Sequence, residues 1–265
     1  MKHNGDCMNA EQFNGIKLMI RSYMESLSLN ECKAELIAKG LLTTNSKLKK
    51  GENLNYGLEL LPSILAKGVN LCPNAGACKF TCLAFSGQGN ILKGRKMFAG
   101  EELSAPLKAK ARRTFVFIND KEWFEAFLLM EIRQKNEMAQ MLGAKSFFRL
   151  NVTSDVDWTH LTSLAPHIDF YDYTKVWNRY STGNYHLTFS VDENTTDEMI
   201  EAKLSKGENV AIVFNTNTLP EKYFNFSVID GDLNDDRTTD AKGVIVGLKL
   251  KVTIGGKDNS LGFAR

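Results

Sequence analysis

The feature that most constrains this chain is a series of short apolar runs, SFFRLNV, IDFYDYT, YHLTFSV, NVAIVFN, FSVIDGD and GVIVGLKL, alternating with helix or loop signals between residues 146 and 250. A strand that is apolar on both faces must be buried on both, so the series predicts a mainly parallel sheet covered by helices. YGLELLPSIL, from residue 56, adds a candidate strand ahead of them. The helix signals are Asn119 as an N-cap with Glu122 in the box position and Gly143 as the stop, a segment over residues 157–165 halted by Pro166, and Thr195 with Glu198 closed by Gly207. The expected fold is α/β, a full or partial β/α barrel of the TIM type, with an open doubly wound sheet as the alternative. Both place ligands at the C-terminal ends of the strands.

Ahead of this pattern, Phe13, Ile16, Ile20, Tyr23, Met24 and Leu27 recur at helical spacing, and Ser28 with Glu31 starts a second helix that Gly40 ends. This reads as an N-terminal helical hairpin with a polar linker over residues 43–55, dividing the chain into residues 1–50 and a barrel-like domain over 51–265. With 43% hydrophobic and 24% charged residues in 265, a sizeable core is expected. A net charge of +2 neither implies nor excludes nucleic acid. No apolar run reaches the roughly 20 residues of a membrane span, and MKHNGDCMNAEQ lacks a signal core, so a cytosolic protein is expected.

Of five cysteines, Cys7 and Cys32 are scattered, whereas Cys72, Cys78 and Cys82 fall within LCPNAGACKFTCLAFSG at the spacing C-x5-C-x3-C. Pro73 and Gly76 let such a loop fold back, and three thiolates brought together bind zinc or an iron–sulfur cluster. No histidine lies nearby to complete a zinc site, which points to a 4Fe-4S cluster with one open iron; zinc is the alternative. SGQGN, residues 86–90, reads as a turn whose N–H groups suit an anion.

The apolar runs end in polar residues, and a barrel would converge them on one mouth. Asp155, Asp172, Lys175 and Asp192 are therefore candidate catalytic groups, with Asn151, Ser154 and Ser190 as substrate contacts around the same pocket. A basic stretch of Lys93, Arg95, Lys96, Lys108, Lys110, Arg112 and Arg113 follows the cysteines. It is either a solvated helix face or a contact for nucleic acid or a phosphorylated substrate, Arg112 and Arg113 above all. Asp230, Asp232, Asp235, Asp236, Arg237 and Asp240 read as a solvated acidic turn, since they do not fit the calcium-loop pattern.

Taken in order, NLCPNAGACKFTCLAFSGQG, RLNVTSDVDW, FYDYTKV, NYHLTFSVDE, NVAIVF, VIDGDLNDDR and GVIVGLKLK resemble the bacteriophage gene-product-88 family over residues 56–265. The resemblance implies a phage origin and action in the host cytosol. The cysteine loop after a first strand is also loosely similar to radical S-adenosylmethionine enzymes, where the spacing is C-x3-C-x2-C; this likeness implies an iron–sulfur barrel with S-adenosylmethionine as co-substrate. IDFYDYTKVWNR is loosely similar to the nucleophile segment of tRNA-guanine and phage 7-deazaguanine DNA transglycosylases, which implies base exchange with Asp172 as nucleophile. The expectation is thus a metal-dependent enzyme on a nucleotide, nucleic acid or related small molecule. The alternatives are base exchange, or a non-enzymatic metal-stabilised protein that binds a host factor.

Overall fold

A computed structural model describes residues 10–44, 53–80, 82, 84, 103–251 and 262–265. Cys7, the turn at 86–90, and Lys93, Arg95 and Lys96 lie outside the described residues. Among the described residues the sheet has nine strands: β1 Leu42–Thr43, β2 Leu54–Leu58, β3 Ser146–Arg149, β4 Asp169–Thr174, β5 Tyr185–Ser190, β6 Val210–Phe214, β7 Lys222–Tyr223, β8 Phe226–Asp230 and β9 Ile245–Lys249. Each apolar run became a strand. The spatial order is β1-β2-β3-β4-β5-β6-β9-β8-β7, parallel throughout except at the outermost pairs, β1 with β2 and β7 with β8.

This corrects the closed barrel. From β2 to β6 each strand adds beside its predecessor, as in a barrel, but the sheet stays open. Its two edges are two-residue antiparallel strands, β1 and β7, and short strands are a usual way to end a sheet. The strand order also lacks the reversal that defines a doubly wound sheet.

The helices are α1 Ala10–Glu25, α2 Leu29–Lys39, α3 Ala105–Asn119, α4 Lys121–Met141, α5 Thr159–Thr162 and α6 Asp197–Ser205. In α1, Phe13, Ile16, Ile20 and Met24 bury one stripe against Leu61, Leu65, Leu107 and Ala111. In α2, Cys32 and Leu36 enter a different cluster, with Phe117, Phe124 and Leu128 of α3 and α4. Both N-terminal helices therefore pack on α3 and share their cores with the rest of the chain. Ser28 makes no side-chain cap, contrary to the capping-box reading, whereas Gly40 does end α2, at φ 79°. A Cβ there would lie 2.7 Å from Glu131 Oε1, the carboxylate of α4 that accepts the Leu41 and Leu42 amides at 2.7 and 3.3 Å. Two other caps sit one residue from their expected positions. Asp120, not Asn119, accepts the Trp123 amide of α4, and Thr196, not Thr195, accepts the Met199 amide of α6.

Side chains in register on parallel strands share a face, and alternate residues take opposite faces. On one face Phe148, Leu150, Phe170, Tyr185 and Leu187 pack beneath α2 to α5, and Phe189, Ile212, Phe214 and Ile245 continue the layer beneath α6. The other face carries Asn55, Arg149, Tyr171, Tyr173, His186 and Thr188. Over it lies the segment from Asp230 to Asp240, through Asn53 Nδ2 to Asp236 Oδ2 at 3.4 Å and Arg149 to Asp235 at 2.7 Å. That segment is not the solvated turn expected: Asp235, Asp236 and Arg237 are buried, Asp235 against the distant Arg149 and Arg237 against its neighbours Asn234 and Asp240.

Candidate functional site

The loop that follows β2 is tied to the ends of the next three strands. Asp155, after β3, donates its amide to the Leu71 carbonyl at 2.7 Å, and the Cys72 thiol points at the Thr153 carbonyl at 3.7 Å. Asn74 donates to the Lys175 carbonyl after β4 at 2.8 Å. The Ala77 amide donates to Glu193 Oε1, after β5, at 2.6 Å. Gly76 makes this last contact sterically feasible, since a Cβ there would sit 1.8 Å from the same oxygen. A short 3-10 turn, Ala77–Lys79, then delivers Cys78.

Held this way, the loop overhangs a cavity of about 260 Å³ at the C-terminal ends of the strands, and Cys72, Cys78 and Cys82 all line it. Desolvation raises all three thiols, Cys82 to about 12, so near neutral pH they are protonated until something displaces the proton. Thiols suit zinc or an iron–sulfur cluster. Among the described residues, however, no three His, Cys, Asp or Glu side chains stand close enough together to hold one metal ion as they are placed. The donor set fits a thiolate-bound centre in kind, and loading would have to draw the three sulfurs inward. Cys32 is buried in the helical core instead.

Of the other expected site residues, Asn151, Ser154, Asp155, Lys175 and Ser190 line the same cavity. Several of them also knot the wall together. Asn151 Oδ1 accepts from Ser154 Oγ, the Val156 amide and the Trp158 indole, at 2.9, 2.8 and 3.3 Å. Asp155 accepts the Lys175 amide at 2.8 Å and pairs with Arg179 at 2.6 Å, while burial raises its pKa. Lys175 Nζ donates to the Val191 carbonyl at 2.9 Å.

Four residues fall elsewhere. Asp172 lies on the helix-covered face, fully buried, and accepts from the Leu150 and Asn151 amides, Asn151 Nδ2 and the Tyr185 hydroxyl at 3.2, 2.7, 3.3 and 2.8 Å. Burial lifts its carboxyl to about 7 even so. Asp192 caps its own turn, accepting the Asn194 amide and the Thr195 hydroxyl. Arg112 is paired with Glu35 at 2.7 Å and donates to the Tyr23 hydroxyl, and Arg113 is buried on α3. With Lys110 also buried against Glu59 at 2.6 Å, this part of the basic stretch faces protein rather than solvent.

Arg149, Tyr173 and Phe263 are among the lining residues that the sequence did not single out. Arg149 and Tyr173 come from the polar face of the sheet, and an arginine inside SFFRL was the one available signal for the first. Phe263 packs with Ala77, Leu250 and Ala264 against Cys78, because the last residues run beside β6: the Arg265 amide donates to the Val213 carbonyl at 2.8 Å.

These features define an α/β protein with an open, mostly parallel sheet and a thiol-lined cavity at its strand ends. The chain belongs to the Gene product 88 family, GP88, whose family model matches residues 36–264, in accord with the phage-family resemblance of its motifs. No curated protein and no solved structure matches it. Among the described residues no helix is long and apolar enough to cross a membrane.

Proposed function

We propose that this protein is a metal-dependent enzyme that modifies a nucleotide or related small molecule within the phage-infected host cell, in the cavity beneath the cysteine loop. The observation that carries the reading is that the three clustered cysteines all face one cavity at the strand C-termini, where parallel α/β sheets place their chemistry. Cys72, Cys78 and Cys82 would hold the centre, a 4Fe-4S cluster in the first reading and zinc in the second. Three thiolates on four irons leave one iron open to a substrate or to a co-substrate such as S-adenosylmethionine.

The chain's own residues have separate tasks. Glu193 and Asn74 hold the loop over the cavity. Lys175, Ser190 and Asp155 present polar groups along the walls, and Phe263 narrows the side next to Cys78. A small substrate is favoured over a nucleic-acid strand because Arg112 and Arg113 are turned into the protein. Base exchange draws no support from Asp172, whose carboxylate is committed to backbone amides outside the cavity.

Protein purified without air should carry iron and acid-labile sulfide and absorb in the visible, whereas zinc would leave it colourless. Cys72→Ala, Cys78→Ala and Cys82→Ala should each lose the metal and destabilise the domain, and Cys32→Ala should keep the metal. Full metal content in the Cys78→Ala protein, or no metal in the wild type, overturns the proposal.

A further inference from the structure

The polar face of the sheet carries charged and hydroxyl groups in an unusual state of satisfaction. Arg149 ends β3 with its side chain 14% exposed, pairs through Nη1 with Asp235 Oδ2 at 2.7 Å, and lies over the Tyr173 ring at 4.8 Å. Ion pair and ring together fix the plane of the guanidinium. Its Nε nevertheless finds no hydrogen-bond partner among the described residues, and neither does the Tyr173 hydroxyl. Thr188, in register beside Tyr173 on β5, is fully buried with its hydroxyl equally unpartnered. Leaving one buried polar atom unpaired is costly, and Arg149 and Tyr173, the two of these residues that line the cavity, fit a site whose ligand completes the bonds.

The charge of the cavity gives that ligand its sign. Its lining includes five basic side chains, Lys79, Arg149, Lys175, Lys249 and Lys251, against three acidic ones. Of the acids, Asp155 is neutralised by Arg179 from outside the lining and Asp235 by Arg149, which leaves the four lysines against Asp232. Lys249 and Lys251 reach Asp230 and Asp232 across 3.8 and 3.2 Å, half-exposed pairs that bind weakly and leave the lysines able to turn toward a guest.

We infer that Arg149 and Tyr173 form an oxyanion seat in the cavity floor, which receives the phosphate or carboxylate of a small ligand whose other end faces the cysteines. Asp235 is a positioning residue that fixes the guanidinium through Nη1. The inference rests on reading the cavity as a substrate site and does not require the metal.

Isothermal titration of the protein as purified, with its iron content measured, tests this using AMP, adenosine, inorganic phosphate and succinate as probes. AMP or phosphate should bind where adenosine does not if the seat takes a phosphate, and succinate alone should bind if it takes a carboxylate. Arg149→Gln should weaken the anion on the order of 10- to 100-fold, and Tyr173→Phe by about 3- to 10-fold. Tyr173→Phe removes an atom without a protein partner, so it keeps the test alive where Arg149→Gln does not fold. Lys17→Gln, on the exposed side of α1, should leave binding unchanged. Equal binding by wild-type protein prepared without iron sustains the seat even where the metal reading fails. No binding of any anion by iron-loaded wild type, or binding that neither floor variant alters, overturns the seat alone.

Discussion

The two faces of the sheet differ in how completely their groups are used. Beneath the helices, Phe148 and Phe170 are fully buried and pack ring on ring at 5.8 Å, and the buried Asp172 carboxylate has four donors. Across the backbone, Arg149, Tyr173, His186 and Thr188 all retain an unpartnered polar atom. One face is close to saturated and holds the fold together. The other keeps bonding capacity in reserve beside a cavity, which is the arrangement expected where a structure binds something it does not itself supply.

The largest test of that division is Phe148→Ala. This ring also stacks on Tyr56 at 5.4 Å, so its loss should cost about 3–5 kcal/mol in urea unfolding. A cost below about 1 kcal/mol would mean that the helix-covered face is not the one that holds the fold.

Next is Gly76→Ala, which forces a methyl into the Glu193 carboxylate and should cost about 1–3 kcal/mol while lowering metal content. Adding Glu193→Ala should recover part of that stability, because the obstruction is gone. Simple additivity of the two substitutions would show that the loop is not seated on Glu193.

The pH dependence separates the faces more finely. Asp172 has a folded pKa of about 7 against an unfolded value near 3.9, so the folded state holds its proton over a range where the unfolded state has released it. Its contribution therefore favours folding at low pH and is lost as pH rises from about 4 to 7. Relative to Asp172→Asn, which cannot titrate, the wild type should lose at most about 1.4 kcal/mol per pH unit over that window and then level off. A difference that grows in favour of the wild type with rising pH would show the carboxylate to be stabilised as the anion.

The smallest effect is expected from Thr188→Val. Its hydroxyl bonds to nothing among the described residues, so stability should change by no more than about 0.5 kcal/mol or rise slightly. A loss above about 1 kcal/mol would mean that the polar face is saturated after all.

Strand identity was legible because burial on both sides demands continuous apolar runs, and the arrival of the three clustered cysteines at one cavity was legible because they share one short loop. What escaped depended on register and on distant partners. Asp172 and Tyr173 are adjacent in YDYT, yet alternation sends them to opposite faces, and the carboxylate that drew attention is the one turned away from the cavity. Arg112 and Lys110 looked like a surface because Glu35 and Glu59, their partners, lie far back in the chain. Openness of the sheet turned on β1 and β7, each too short to leave a pattern in sequence.

On the proposed function, the three cysteines of the loop hold one centre in the cavity. Anomalous diffraction at the iron edge from crystals grown without air tests it most directly. A single strong peak bounded by the sulfurs of Cys72, Cys78 and Cys82, with Cys32 remote from it, is expected. Three separate thiols, with the iron peak elsewhere in crystals of wild-type protein whose measured iron content is full, would contradict it.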